Sequence, residues 1–410
     1  MLEHLREQFS FARGNVLILM SMWMITDFAF LLPNSYYSLY VEALGASAFI
    51  LGGVVAASGF AMAFLQLAGG YWADRYGRKN LVVTMNVARG LAFLIFAFAP
   101  NWYFILLGEV LVGLTTINQP AVMAIFADSV PPEKRGMGYS LSMIAGLTSV
   151  FSPLVAGLLY LSFRLIWTMR TIYMIVSACW IISGLLLLRL EETLKPQTPV
   201  TPIRQVIKQY PEAVKECVNV WGLVPKSMLN LFLVFTPTMF VVRMCIPFYT
   251  LYATQVLHVD LFQWALLLVW ESIVLYVVML PAGRIIDVFG RKKPLLLSSV
   301  FFAAAITLFI TGNMLRLYVF AALSSLGNAL VFTAYPALQA DLTPQEYRGR
   351  VMGFSNFTDS FLGAAAVLVG GFLYGNIGVV APFVLQLIIL LIAIPLTYLF
   401  VKEDKTKRND

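Results

Sequence analysis

The sequence predicts an all-α integral membrane fold of twelve helices in two six-helix bundles, related by a pseudo-twofold axis along the membrane normal. Three observations predict it. Of 410 residues, 60% are apolar and only 12% are charged, about half the charged fraction of a soluble domain. The apolar residues come in long runs without a polar face, such as Leu17 to Ile25 and Val380 to Val401, whereas a soluble helix alternates faces. A pattern of Gly, Asp, Arg and Lys in one polar loop also recurs 213 residues later.

A spanning helix needs about 20 mostly apolar residues, so twelve need roughly 240. The chain holds about 246 and has no room for a separate soluble domain. Its net charge of +7 does not mark a nucleic-acid partner, because the basic residues are spread over short inter-helix segments. Three scattered cysteines and two histidines, His4 and His258, exclude a disulfide framework and a His-based metal site. No cofactor is expected. The polar start, with Glu3 and Glu7, does not read as a cleaved signal peptide; the first span serves as the insertion signal.

Taken in order, the predicted spans of the first half are 15–40, 47–72, 80–100, 102–127, 137–161 and 167–188. Those of the second are 228–253, 261–286, 294–312, 316–340, 351–375 and 378–401. Pro33 should bend the first. The domains are therefore an N-terminal bundle (1–188), a cytoplasmic linker (189–227), a C-terminal bundle (228–401) and a tail (402–410). The linker opens on a Pro- and Thr-rich stretch, EETLKPQTPVTP. Beyond it Ile203, Val206, Ile207, Tyr210 and Val214 recur at the spacing of an amphipathic surface helix. Alternate loops, the linker and the termini carry 23 of the 28 Lys and Arg residues. By the positive-inside rule both termini are cytoplasmic and the protein is a multi-pass protein of the cell membrane.

The repeat is sharp in two windows. Gly70, Asp74, Gly77, Arg78 and Lys79 match Gly283, Asp287, Gly290, Arg291 and Lys292. Ala127, Asp128, Pro131, Glu133, Arg135 and Gly136 match Ala340, Asp341, Pro344, Glu346, Arg348 and Gly349. Both halves enter the membrane the same way round, which makes them parallel repeats. Gly70 and Gly283 would let two helices approach closely. Asp74 and Asp287 sit where each could accept bonds from the amino end of a helix in the other half. Within each half Arg78 could pair with Asp128, and Arg291 with Asp341.

The segment GGYWADRYGRK, with its echo at Gly283 to Lys292, resembles the signature of the major facilitator superfamily. ADSVPPEKRG and ADLTPQEYRG resemble that family's 4–5 and 10–11 loops, so the resemblance covers nearly the whole chain. The first span, Asp27 followed by LLPNSYYSLYVEALGAS, resembles helix 1 of its drug:proton antiporter branch. Two features depart from that branch: Glu109 stands where helix 4 commonly has a basic residue, and helix 5 keeps only Ser152, Pro153, Ala156 and Gly157 of a glycine-rich motif. The resemblance implies a non-enzymatic transporter working by alternating access. In it Gly70, Asp74, Arg75, Gly77, Arg78, Lys79 and Asp128 form the cytoplasmic gate, with Gly283, Asp287, Gly290, Arg291 and Asp341.

A charge at bilayer depth costs at least about 2.5–3.5 kcal/mol and faces a cavity or a partner. Six lie inside spans: Asp27, Arg89, Glu109, Arg243, Glu271 and Asp359. Asp27 and Arg243 lie at similar depth on helices that line the family's central cavity, and are expected to face each other. Arg89 and Glu109, on consecutive antiparallel spans, are expected to form a structural pair. Asp27, Glu109, Arg243, Glu271 and Asp359 are the candidates for substrate or proton binding, and none has a charged counterpart 213 residues away. Asn34, Gln119 and Asn328 are further polar candidates.

The expected function is proton-coupled efflux of small amphipathic or hydrophobic compounds by a monomer in the lipid bilayer. The alternatives are a symporter or uniporter for a nutrient, and a non-transporting membrane receptor or scaffold.

Overall fold

The computed structural model describes residues 13–131, 134, 142, 144–193, 222, 224–344 and 347–401, without the side chains of 64, 66–76, 280, 287 and 348–350. The predicted linker helix and the tail lie outside these residues. Within the described residues every predicted span is helical; of the fifth, 137–161, residues 137–141 and 143 lie outside them. The first begins with α1 (Asn15–Leu31), breaks at a turn over Pro33–Ser35, and resumes as α2 (Tyr37–Ala43). Proline supplies no N–H to continue the ladder, which turns the predicted bend into a break. Then follow α3 (Ala48–Tyr76), α4 (Arg78–Ala97), α5 (Trp102–Thr115) continuing into α6 (Gln119–Ser129), α7 (Ser152–Ser162) and α8 (Leu165–Leu186). The second half has α9 (Lys226–Gln255), α10 (Leu261–Phe289), α11 (Lys292–Ile310), α12 (Met314–Leu342), α13 (Arg348–Phe372) and α14 (Ala381–Phe400). Ten of these helical segments are long and apolar enough to cross a membrane, and Ala48–Ala63 and Gly146–Ser162 are shorter apolar helices. Large apolar side chains such as Leu17, Phe30, Val277 and Leu391 are exposed on these helices, where a water-soluble helix would carry polar residues.

The chain divides into two compact units, Met1–Ala46 with Ala57–Val206, and Ser47–Ala56 with Ile207–Asp410. The first turns of α3 thus belong with the second unit, a division that the sequence boundaries do not contain.

In the first unit glycines set the helix spacing. A Cβ on Gly184 of α8 would lie 2.5 Å from Val87 of α4, and one on Gly90 of α4 would lie 3.0 Å from the Ser177 carbonyl of α8. Small residues let membrane helices exchange lipid contact for backbone contact. Gly113 of α5 meets the Ser58 carbonyl of α3 in the same way, at 2.8 Å. In the second unit Gly327 of α12 packs under the Phe302 ring of α11, and Gly370 of α13 packs against the Met244 carbonyl of α9. At Gly283, by contrast, a Cβ would meet nothing within 4 Å among the described residues.

Helix starts are fixed by side chains. Asp260 accepts from the amides of Phe262 (2.8 Å) and Gln263 (3.2 Å) and caps α10. Asn101 caps α5 and Asn313 caps α12. Asp260→Ala should cost about 1 kcal/mol, read as a lowered melting temperature of the detergent-purified protein with substrate binding unchanged.

Candidate functional site

Two loop clusters carry the repeated motif. In the first, Gly77 has φ +85° and ends the turn between α3 and α4; Gly290 has φ +82° and does the same between α10 and α11. Both positions need the left-handed region, where glycine has no Cβ to clash. The chain reversal brings Arg78 onto Asp128, Nη1 to Oδ2 at 2.5 Å, and the equivalent Arg291 pairs with Asp341. Both expected ion pairs are therefore present. Arg291 also donates to the Ala337 carbonyl at 3.4 Å.

One participant was not legible in the sequence. Glu192, just after α8, accepts from the Lys79 amide at 3.0 Å and lies where a Cβ on Gly77 would fall. It places a carboxylate on the otherwise uncapped amino end of α4, where the helix dipole favours an anion. Thr193 receives a bond from Arg78 (3.3 Å), and Asn15 exchanges two hydrogen bonds with the Glu191 backbone. A polar stretch that follows a span carries no sequence cue that its first residues serve a turn between two other helices. The side chains of Asp74, Arg75 and Asp287, and those packed around Gly70, lie outside the described ones.

Among the charges inside the spans, Arg89 and Glu109 are placed differently from expectation. Arg89 does not pair with Glu109. Its Nε donates to Thr115 at 2.7 Å and its guanidinium lies 4.5 Å from the centre of the Trp180 ring, a cation–π contact. It is buried between α4, α5 and α8 with its Nη2 unpartnered among the described residues. Glu109 instead accepts from Tyr37 Oη at 2.6 Å, joining α5 to α2, with Ser58 of α3 as a second donor. The two residues share a depth but not an azimuth on their helices, and sequence spacing does not report azimuth across two helices.

Asp27 sits about 18 Å along α1 from Asn15, half-buried, with no hydrogen bond or ion pair among the described residues. Arg243 of α9 is exposed and lies across Gly363 of α13; a Cβ at Gly363 would be 2.8 Å from its Cδ and 3.1 Å from its Nη1. Within its own unit the counter-charge in electrostatic reach of Arg243 is Asp359, one turn before Gly363. Asp359 therefore has a partner that the sequence did not suggest. Tyr335, stacked on Phe235 with ring centres 3.7 Å apart, faces the same carboxylate. Glu271 of α10 is half-buried near Tyr249, and its backbone carbonyl accepts from Ser325 at 2.7 Å. Among the described residues no group of His, Cys, Asp and Glu side chains could hold a metal.

These features define a multi-pass helical membrane protein with a duplicated loop ion pair and isolated charges at bilayer depth. The chain belongs to the major facilitator superfamily, whose sequence profile matches residues 14–270 and 231–410. It is a transporter of the plasma membrane and not an enzyme. It is 25% identical over 365 residues to the multi-drug resistance efflux pump PmrA of Streptococcus pneumoniae, covering 85% of this chain and 86% of that one. It is 24% identical to the multidrug resistance protein MdtH of Salmonella arizonae, covering 82% and 80%. A Na⁺, Li⁺, K⁺/H⁺ antiporter of Planococcus maritimus matches a shorter stretch, 32% identical over 142 residues and 32% of each chain. Among solved structures, a bacterial homologue of the lysosomal transporter Spinster superposes with a TM-score of 0.73 at 16% identity, over 94% and 96% of the chains. The peptide transporter POT gives 0.76 at 13%, over 94% and 93%. At such identities the superpositions describe the fold alone.

Proposed function

We propose that this protein exports small amphipathic or hydrophobic compounds in exchange for protons, alternating access between the two membrane faces, with Asp27 as the group that proton and substrate contest. The observation that carries the reading is Asp27 itself: a carboxylate at bilayer depth that no described side chain neutralises. An ionised carboxylate in a poorly solvated setting gains strongly from any species that cancels its charge. A proton does so, and so does the cationic end of an amphipathic compound. Two such ligands that cannot bind together give exchange. The multidrug efflux names of relatives spanning over 80% of the chain support the cargo class.

Arg78 with Asp128 and Arg291 with Asp341 hold the two motif turns rigid, and in this reading Asp74 and Asp287 close the motif-bearing face. Both termini are taken to lie on that face, in the cytoplasm. The 32% match to a monovalent-cation antiporter favours a second reading, in which the exported species is an alkali cation.

The test is transport in proteoliposomes under an imposed pH gradient, with ethidium or Na⁺ as cargo. Asp27→Asn should reduce proton-driven ethidium efflux at least tenfold while leaving the melting temperature within a few degrees. Retained efflux in Asp27→Asn would remove Asp27 from the coupling step. Proton release on Na⁺ addition without ethidium transport would establish the second reading.

A further inference from the structure

Ser152, part of what α7 keeps of a glycine-rich motif, is bonded to α1. Its hydroxyl donates to the Phe28 carbonyl at 2.8 Å, and four residues earlier Thr148 Oγ1 donates to the Met24 carbonyl at 2.7 Å. Both bonds join residues 124 apart, so the two segments run in the same direction and in one register. Thr148 stands in the 3₁₀ turn Gly146–Phe151 that leads into α7. The other acceptor within its reach, the Ala145 carbonyl, is farther away at 3.1 Å. Ser152 is 0% exposed, so no bulk water competes for its hydroxyl.

The two acceptors bracket Asp27 on α1. At about 100° per residue, Met24 and Phe28 form one stripe of the helix, and Asp27 lies about 80° round from the middle of that stripe. Neither hydroxyl bonds to Asp27; both hold the backbone that carries it. The Phe28 carbonyl is among the last four of α1, which have no amide of their own helix to accept from, because the chain turns at Pro33. Met24 lies deeper in α1, so its carbonyl keeps a helix amide and gains Thr148 as a second donor. An apolar helix face gains little by meeting another helix rather than lipid, so it holds rotation weakly. Two directional bonds four residues apart fix both the rotation and the height of α1.

We infer that Thr148 and Ser152 are positioning residues for Asp27, their two hydroxyl bonds to α1 setting the direction in which its carboxylate stands. The inference rests on the export reading, which makes Asp27 the group that proton and substrate contest. In catalytic sites a misplacement of about 1 Å costs up to about a hundredfold. A binding carboxylate turned away from its ligand loses affinity for the same geometric reason, and the groups that lock its orientation are as necessary as the carboxylate itself.

Ethidium binding to the detergent-purified full chain, read by fluorescence anisotropy, tests this. Thr148→Val deletes the hydroxyl, keeps the side chain's shape and strands no carbonyl. It should melt within a few degrees of wild type and bind ethidium about fivefold more weakly or worse. Thr148→Ser, which keeps a hydroxyl, should recover most of that loss. Ser152→Ala should weaken binding in the same direction, with a lower melting temperature because the Phe28 carbonyl is left unpaired. The decisive comparison uses the Asp27→Asn background, where no charged carboxylate is left to aim. There Thr148→Val should change the affinity less than about twofold, whereas a merely structural role would weaken ethidium equally in both backgrounds. Equal losses in the two backgrounds, or a Thr148→Ser protein as weak as Thr148→Val, overturn the inference. Wild-type affinity in Thr148→Val also overturns it, and leaves the export reading standing if Asp27→Asn alone has lost ethidium. If wild type does not bind ethidium, or Asp27→Asn binds it as wild type does, the export reading falls and this inference with it.

Discussion

Gly371→Leu is expected to abolish transport and to lower the melting temperature steeply. Gly371 of α13 and Gly52 of α3 meet backbone to backbone. A Cβ on Gly371 would lie 2.7 Å from the Ala48 carbonyl oxygen and 3.2 Å from the Cα atoms of Gly52 and Phe49. A Cβ on Gly52 would likewise lie 2.7 Å from the Val367 carbonyl. None of these neighbours is a flexible side chain tip, so relief requires one helix to move. Overpacking a core that can adjust costs about 1–3 kcal/mol; here the adjustment needed is displacement of the first turns of α3 from the unit to which they belong. Even Gly371→Ala should be impaired. Gly375, one turn on, is the internal control: a Cβ there meets Ala48 Cβ at 3.6 Å, an ordinary contact, and Gly375→Ala should melt and transport like wild type. Thermal melts beside ethidium efflux in proteoliposomes read both. A Gly371→Leu protein that melts and transports normally would show that this seam is not closely packed.

The second large effect is a contrast at Arg89. Arg89→Ala removes a long buried side chain and leaves a cavity between three helices, a loss of about 2–5 kcal/mol by analogy with large-to-small core changes. Arg89→Met should be neutral or stabilising. Methionine keeps most of the volume and sheds the desolvation cost of a buried charge that has no counter-ion among the described residues. Its thioether can replace the guanidinium over the Trp180 ring. Thr115 is not stranded by the loss, because its hydroxyl already donates to the Val112 carbonyl at 2.6 Å. The measurement is the melting temperature of the two variants. If methionine destabilises as much as alanine, the charge itself holds the three helices together, and Arg89 has a partner that the described residues do not include.

The glycines and charges show what could be read in advance and what could not. Twelve spans were legible because hydropathy decides which segments leave water, and among the described residues each predicted span is matched by helix. The loop ion pairs were legible because residues 50 apart recur 213 residues later with the same spacing, and a charge pair kept twice in one chain needs no alignment to be noticed. The seams at Gly90 with Gly184 and at Gly52 with Gly371 were not legible, since a glycine in a span reads the same whether it faces lipid or a backbone.

The charges divide the same way. Six of them could be placed inside helical spans from hydropathy alone, and the sequence determined the number, order and duplication of those helices. It did not determine partners. Arg89 lies on Trp180 rather than on Glu109, Glu109 holds Tyr37, and Arg243 has Asp359 within electrostatic reach. Apolar faces pay nearly the same in lipid as against another helix, so hydropathy leaves each helix free to rotate about its own axis. Only packing removes that freedom: glycine seams set which faces touch, and the rotation they choose decides which charge meets which. The tertiary structure alone placed Glu192 on the first turn of α4 and shelved Arg243 on Gly363.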